Sequence, residues 1–442
     1  MTSPFSFKGD IGRVAYASMS LATFFTQHAF AYLVMFERGV SLDIPWWFWM
    51  VPLRVAAQKI DFRPEWLMLA GLCVLVIVMW MLLALAYRRI RTIGYDGASI
   101  SLMTAPGIQL LMVAWLTNAP ALAREPVQPA VAAASRTRVV VLGLLTGTAL
   151  SVAAAALSTL VLGIYGFGLF VASPFVVGMT VASIAKRNTD LGLGQTTFLV
   201  MCSLGLGALI LIGLAMEGVV CLLFASPLIA LMGFLGAVAG RLITNGRPGF
   251  RAAPMSVALL PLLLVSELLL PPAADFESVE SVDIAASPSA VWESVVHMGP
   301  IPAAPAAPFS WGLAYPMSGE IKGTGVGAVR RGVFSTGIAY ERVVEWVPER
   351  RLSFIVLSDP PSMRELSPYA HVNAPHTQGY FRTRDARFRI TPLPDGRTRL
   401  TLATHHDLDL EPALYWLPFA QWAVHANKTR VLKHFQQQAE DG

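Results

Sequence analysis

The run LLLVSELLLPPAADFESVESVDI (residues 262–284) changes solvent in its middle. Up to Leu270 it is apolar except for Ser266 and Glu267. After Pro271-Pro272 acidic side chains mix with apolar ones, and 276–284 reads as a strand leaving a membrane. The whole chain divides at the same place. More than half of its 33 basic and 28 acidic side chains follow residue 274. The preceding apolar block is too long for one globular core, and the charge density beyond it does not fit lipid.

Only 14% of the 442 residues are charged, against about 25% in soluble domains, so the average already points to a membrane protein. The net charge of +5 comes from basic residues that mostly flank apolar spans. This distribution argues against a nucleic-acid partner. The basic run Arg382 to Arg389 alternates along an expected strand and reads as a solvated face. Cys73, Cys202 and Cys221 all lie in apolar spans, which leaves the C-terminal part no thiol for a disulfide or a zinc site. Phe5, Phe7, Gly9 and Gly12 interrupt the N-terminus, so it does not read as a cleaved signal peptide.

Eight stretches have the length and apolarity of spans: 14–36, 65–87, 98–118, 139–162, 165–185, 195–215, 218–240 and 254–271. Three fall in an N-terminal membrane domain, 1–125, and five in a second membrane region, 136–272. Ile44 to Val55, with Trp46, Trp47 and Trp49, is too short to span and reads as a helix in the headgroup layer. Arg136/Arg138, Lys186/Arg187 and Arg241/Arg247/Arg251 fall on every second loop, which puts those loops in the cytoplasm and the C-terminal domain outside. Arg88, Arg89 and Arg91 also look cytoplasmic, which requires 98–118 to be broken or re-entrant at Pro106-Gly107. His28, Glu217 and Glu267 are the ionisable residues nearest the spans, and they form no proton relay. Gly205, Gly207, Gly233, Gly236 and Gly240 read as close-packing positions. Neither a nucleotide-binding loop nor a helix pair with metal-ligand spacing occurs.

FSFKGDIGR (residues 5–13) and YRRIRTIG (residues 87–94), followed by Gly97, resemble the bacterial inner-membrane family called domain of unknown function 805. Arg91 and Thr92 stand where that family has His and Asp, and Ala98 replaces its aromatic. The resemblance implies a location, the bacterial inner membrane, and no chemistry.

In the C-terminal part Ser287-Pro288 should cap a short helix with the stripe Val291, Trp292, Val295 and Val296. Strands are expected near 314–322, 327–335, 338–347, 351–358, 379–392 and 397–408, with Asp395-Gly396 as a hairpin turn. Residues 411–437 should form one long helix, kinked near Pro418. This order describes a helix-grip layout, a curved antiparallel sheet around a long C-terminal helix. VDIAASPSAVW (282–292), GTGVGAVR (323–330), ERVVEWVPERRLSF (341–354) and GRTRL (396–400) resemble the START-like superfamily, the polyketide cyclase and related ligand-binding proteins of the SRPBCC group. The resemblance covers 276–442. It implies a hydrophobic cavity for a lipid, polyketide or similar apolar ligand, and no particular reaction.

Seven of the eight histidines lie beyond residue 290. A metal site from His376, His405 and a nearby acid lacks the spacing of known ligand sets, so no metal and no cofactor is expected. His371 and His376 stand in an expected loop, and His405 and His406 point to opposite faces of a strand. Strict alternation puts Tyr340, Arg342, Val344 and Trp346 on one face and Glu341, Val343 and Glu345 on the other. Glu341 is a general base if its face lines the cavity, and a member of a surface ladder with Arg330 or Arg331 if it does not. The catalytic candidates are therefore Glu341, His376 and His405. The ligand-binding candidates are Trp292, Tyr340, Arg342, Trp346, Tyr380 and His406. The insert 360–369 gates a ligand or merely connects. The leading reading is a membrane-anchored module binding a small apolar ligand near the bilayer. The alternatives are a signalling protein whose C-terminal domain binds a protein partner, and then an enzyme on a hydrophobic substrate.

Overall fold

The computed structural model describes residues 3–40, 44–60, 66–95, 100, 103, 108–122, 135–188, 191–244, 260–265, 267, 274–307, 309–369 and 374–441. The chain forms two compact units, Met1–Pro272 and Ala273–Gly442.

The N-terminal unit is helical. Its elements are α1 (Arg13–Glu37), α2 (Pro52–Lys59), α3 (Trp66–Ile93), α4 (Ile108–Asn118), α5 (Arg136–Ala156), α6 (Ser173–Asn188), α7 (Leu193–Gly213) and α8 (Val219–Thr244). Among the described residues six helices are long and apolar enough to cross a membrane: α1, α3, α5 to α8, with α5 extended to Val161 and α6 begun at Gly168 by π-helical turns. Of the other two expected spans, 98–118 has the 11-residue α4 among its described residues. At 1.5 Å per residue α4 falls well short of a ~30 Å hydrocarbon layer. The stretch 254–271 lies largely outside the described residues, as do Pro106-Gly107. The Trp-rich segment is not one helix. Pro52 disfavours helical backbone at Val51, so a short 3-10 turn, Trp46–Trp49, ends there and α2 starts afresh with Pro52 in its first turn. His28 holds this turn against α1. Its ring nitrogens lie 3.2 Å from Phe24 O and 3.1 Å from Trp49 O, a packing role.

Glycines bring α6 and α8 together. A Cβ on Gly236 would collide with Phe175 O, and one on Gly240 with Met179 O. Gly233 faces Leu204 of α7, and Gly207 faces Ser151 of α5. Gly205 differs from the expectation, because nothing lies within 4 Å of where its Cβ would stand.

The C-terminal unit is one seven-stranded antiparallel sheet in the order β1-β7-β6-β5-β4-β3-β2. The strands are β1 (Ala274–Ile284), β2 (Pro316–Lys322), β3 (Val329–Phe334), β4 (Gly337–Val347), β5 (Arg351–Ser358), β6 (Phe381–Pro392) and β7 (Thr398–Leu408). Strands β2 to β7 meander, and β1 closes onto the last strand. The short helix Pro288–Val296 follows β1, its Ser287 side chain accepting the Ala290 N–H at 3.3 Å. The hairpin at Asp395-Gly396 puts Gly396 at φ +84°, the left-handed backbone that glycine adopts without cost. The C-terminal helix, Ala413–Asp441, accommodates Pro418 within it and packs on β1, β7 and the short helix. The core joins Leu432, Phe435 and Ala439 of that helix to Val291, Trp292 and Val295 of the short helix and to Leu400, Leu402, Phe388, Ile390, Leu352 and Phe354 of the sheet. Strands, short helix and long C-terminal helix follow one another in the order expected from the sequence pattern.

Candidate ligand site

Alternation along each strand sends one set of side chains toward the C-terminal helix. On β7 these are Thr398, Leu400, Leu402, Thr404, His406 and Leu408, all buried. Register then orders the inner face in rungs. Leu402, Phe388, Leu352 and Trp346 lie side by side, then Thr404, Ala386, Phe354 and Val343. The next rung is polar. His406 pairs with Thr383, and Glu341 pairs with Arg330.

Phe276 and Phe381 flank the His406 ring, with centroids 5.1 and 5.2 Å away. Its Nδ1 is 3.2 Å from Thr383 Oγ1 and its Nε2 2.7 Å from Thr404 Oγ1. Burial, and next the positive charge of Lys428, push its pKa down to about 3. His406 is therefore a neutral imidazole between two hydroxyls, with one nitrogen donating and the other accepting. Lys428 is buried on the C-terminal helix, and its Nζ donates to Leu402 O at 3.4 Å. One turn earlier His425 Nδ1 lies 2.5 Å from Glu280 Oε1, a β1 side chain.

Glu341 and Arg330 form a buried ion pair on this face. Arg330 also stacks over Phe354 at 4.7 Å. The absence of a Cβ at Gly319 leaves room for the guanidinium, since one would stand 2.9 Å from Arg330 Nη2. Beside the pair, strands β5 and β6 part after Ile355 and Asp385. Asp359, just past β5, accepts the Thr383 N–H at 2.9 Å. Its pKa rises to about 6, chiefly because protein displaces water from the carboxyl and further because Glu341 is negative.

The structure separates the residues singled out from sequence. Trp292 and Trp346 meet edge to face at 5.3 Å within the core. A β-bulge between Val343 and Glu345 corrects the expected face-sharing. It turns Trp346 inward with Glu341 and Val343, and leaves Tyr340, Arg342 and Val344 on the exposed outer face. Tyr340 and Arg342 thus stand apart from the polar rung, whereas Glu341 and His406 belong to it. Neither alternative for Glu341 was complete, because its ladder partner Arg330 is present but the pair is internal. His405 faces outward, 3.0 Å from Asp385 Oδ1 and 3.3 Å from Glu277 Oε1. His376 Nε2 lies 3.1 Å from Glu365 Oε1 in the insert. Among the described residues no cluster of metal-ligating atoms combines His376 with His405, and His371 lies outside those residues. Tyr380 precedes β6, its phenol pKa raised by partial burial and then by Asp409. Thr383, Thr404, Asp359, Glu280 and Lys428 were not singled out. Lys428 was readable, since it interrupts the apolar stripe Val424, Val431, Leu432 and Phe435 at helical spacing.

No family model matches the chain, so the resemblance of its N-terminal motifs to domain of unknown function 805 gains no support, and no curated protein matches it. Solved structures similar to it include protein MLL2253 from Mesorhizobium loti, at 16% identity over 38% of this chain and 98% of that one, with a TM-score of 0.24. The Zhui aromatase/cyclase from Streptomyces sp. R1128 is 16% identical over 38% of this chain and 94% of that one, TM-score 0.25. A START superfamily protein from Mycobacterium smegmatis is 14% identical over 37% and 97%, TM-score 0.25. Scores at this level carry no argument, and the fold rests on its strand order and packed helix.

Proposed function

We propose that the C-terminal unit is a START-like module that holds an apolar molecule bearing a polar group between its sheet and C-terminal helix. The observation that carries this reading is the polar rung on an otherwise apolar inner face. Burying His406, Thr404, Glu341 and Lys428 beside the half-buried Thr383 and Arg330 is costly, and an apolar face of the same shape would fold more readily. Such a rung orients a ligand whose tail lies along the apolar rungs and whose hydroxyl, carbonyl or carboxyl meets it.

The N-terminal unit, on this reading, crosses the bacterial inner membrane several times. It comprises a domain at 1–125 and a second region at 136–272. The alternation of basic loops supports an outer position for the C-terminal unit. Only a few residues separate the apolar run ending at Leu270 from β1, so the module draws its ligand from, or delivers it to, the bilayer surface. The test is uptake of a fluorescent fatty acid or sterol by the full chain in nanodiscs, with mass spectrometry of extracts from the purified protein. Saturable uptake that falls in a Thr404→Val, His406→Leu double variant supports the reading. No co-purifying apolar molecule and no saturable uptake would sink it.

A second reading, docking of a protein partner, is favoured by one observation. The outer face exposes Val329, Tyr340, Val344, Ile355 and Leu357 over three adjacent strands.

A further inference from the structure

Arg13, Arg88, Arg89 and Arg91 gather where α1, α3 and α4 meet the N-terminal segment. Arg13 Nε donates to Thr117 O at 2.7 Å and Arg89 Nε to Leu116 O at 3.0 Å. These two therefore cap the carbonyl end of α4. Arg91 pairs with Asp10, Nη2 to Oδ1 at 3.2 Å. Arg88 is different. It is 5% exposed, and its one bond runs from Nη2 to the neutral carbonyl of Asp10 at 3.4 Å. Its Nε and Nη1 are buried without a hydrogen-bond partner. Among the described residues Asp10 is the one carboxylate bonded to any of the four arginines. Of the four guanidinium groups, that of Arg91 alone has a carboxylate partner among the described residues.

A buried guanidinium with donors unused is among the least favourable states a side chain can occupy. Its planar fork matches an oxyanion with two oxygens in one plane. The carbonyl end of α4 is already capped by Arg13 and Arg89, which leaves an anion as the group that the Arg88 donors lack. We propose that Arg88 anchors a binding site for a phosphate-bearing group, supported by Arg91. The phosphate belongs to a phospholipid headgroup or is free in solution. This site lies wholly in the N-terminal unit and does not depend on the ligand reading of the C-terminal one.

The test uses the full chain in dodecylmaltoside, followed by thermal unfolding. Phosphatidylglycerol, phosphatidylcholine and inorganic phosphate are titrated separately. We expect phosphatidylglycerol or inorganic phosphate to raise the unfolding midpoint, and phosphatidylcholine not to match the glycerol lipid. A response to the lipid alone assigns the site to a headgroup, and an equal response to inorganic phosphate assigns it to the free anion. Arg88→Gln should weaken the apparent affinity about tenfold or more, as loss of a charge-assisted bidentate contact does. Arg91→Gln, which removes the same charge from a more exposed position, should weaken it less. Equal losses in the two variants would show a diffuse charge effect and overturn the proposal. So would a wild-type chain indifferent to both anions, which decides the matter even if Arg88→Gln fails to fold.

Discussion

His406 sits on a strand between two phenyl rings, where its imidazole stays neutral far below its ordinary titration range. The unfolded chain takes up a proton near pH 6.5 that the folded one refuses until about pH 3. Stability is therefore unaffected above pH 6.5 and is lost as the pH falls through that window, by about 1.4 kcal/mol per unit from this residue. Urea unfolding of the full chain, read by tryptophan fluorescence between pH 7 and 4, should show the slope. His406→Gln should flatten it by one proton, and an unchanged slope would remove the argument. The Arg330–Glu341 pair gives the second prediction at this scale. Glu341→Ala leaves a buried guanidinium without its carboxylate and should cost about 3–5 kcal/mol, whereas the double variant Arg330→Met, Glu341→Leu should recover most of it. A double-mutant cycle on urea midpoints measures the difference.

Among the elements, those with local punctuation were legible in the sequence. Ser287-Pro288 and Asp395-Gly396 mark their helix start and hairpin because one residue's capping oxygen or backbone freedom decides the local path. The strands and the long C-terminal helix followed from period. What period could not supply was the bulge at Val343/Glu345, since one inserted residue reverses every later side chain and has no signature in composition. Trp346 was therefore grouped with Tyr340, Arg342 and Val344 rather than with Glu341 and Val343, and the polar rung, which exists only when β3, β4, β6 and β7 are in register, was invisible. The short tryptophan segment fared no better, as Pro52 split it. The α6–α8 contact gives a prediction at this scale. Gly236→Val drives a side chain into the Phe175 carbonyl and should destabilise the chain by about 1–3 kcal/mol through overpacking. Gly205→Val, which meets open space, should leave the detergent unfolding midpoint nearly unchanged. Equal effects at the two positions would contradict the close-packing account.

At the scale of the molecule, the change of solvent at Pro271-Pro272 coincides with the division into two compact units. A joint this short matters only with respect to a surface. If the C-terminal unit lies outside, the proposed ligand would come from the outer leaflet; if inside, from the cytoplasmic one. Arg136/Arg138, Lys186/Arg187 and Arg241 stand at or beside alternate ends of α5 to α8. The turns between α5 and α6 and between α7 and α8, around Gly163 and Glu217, carry no lysine or arginine. On the proposed reading the basic ends are cytoplasmic, since translocating them is costly, and a crossing by the apolar run before β1 would carry Ala274 outward. Alkaline phosphatase fused after Gly442 should therefore be active and a fluorescent protein at the same point dark. Charge alone should control this outcome. Adding three lysines near Gly163 and replacing Arg136, Arg138, Lys186 and Arg187 with Gln should weaken or reverse the bias, shifting activity toward the fluorescent fusion. A bright wild-type fluorescent fusion would mean that the stretch 254–271 does not cross, and would move the proposed ligand's source to the cytoplasmic leaflet without touching the polar rung proposed to receive it.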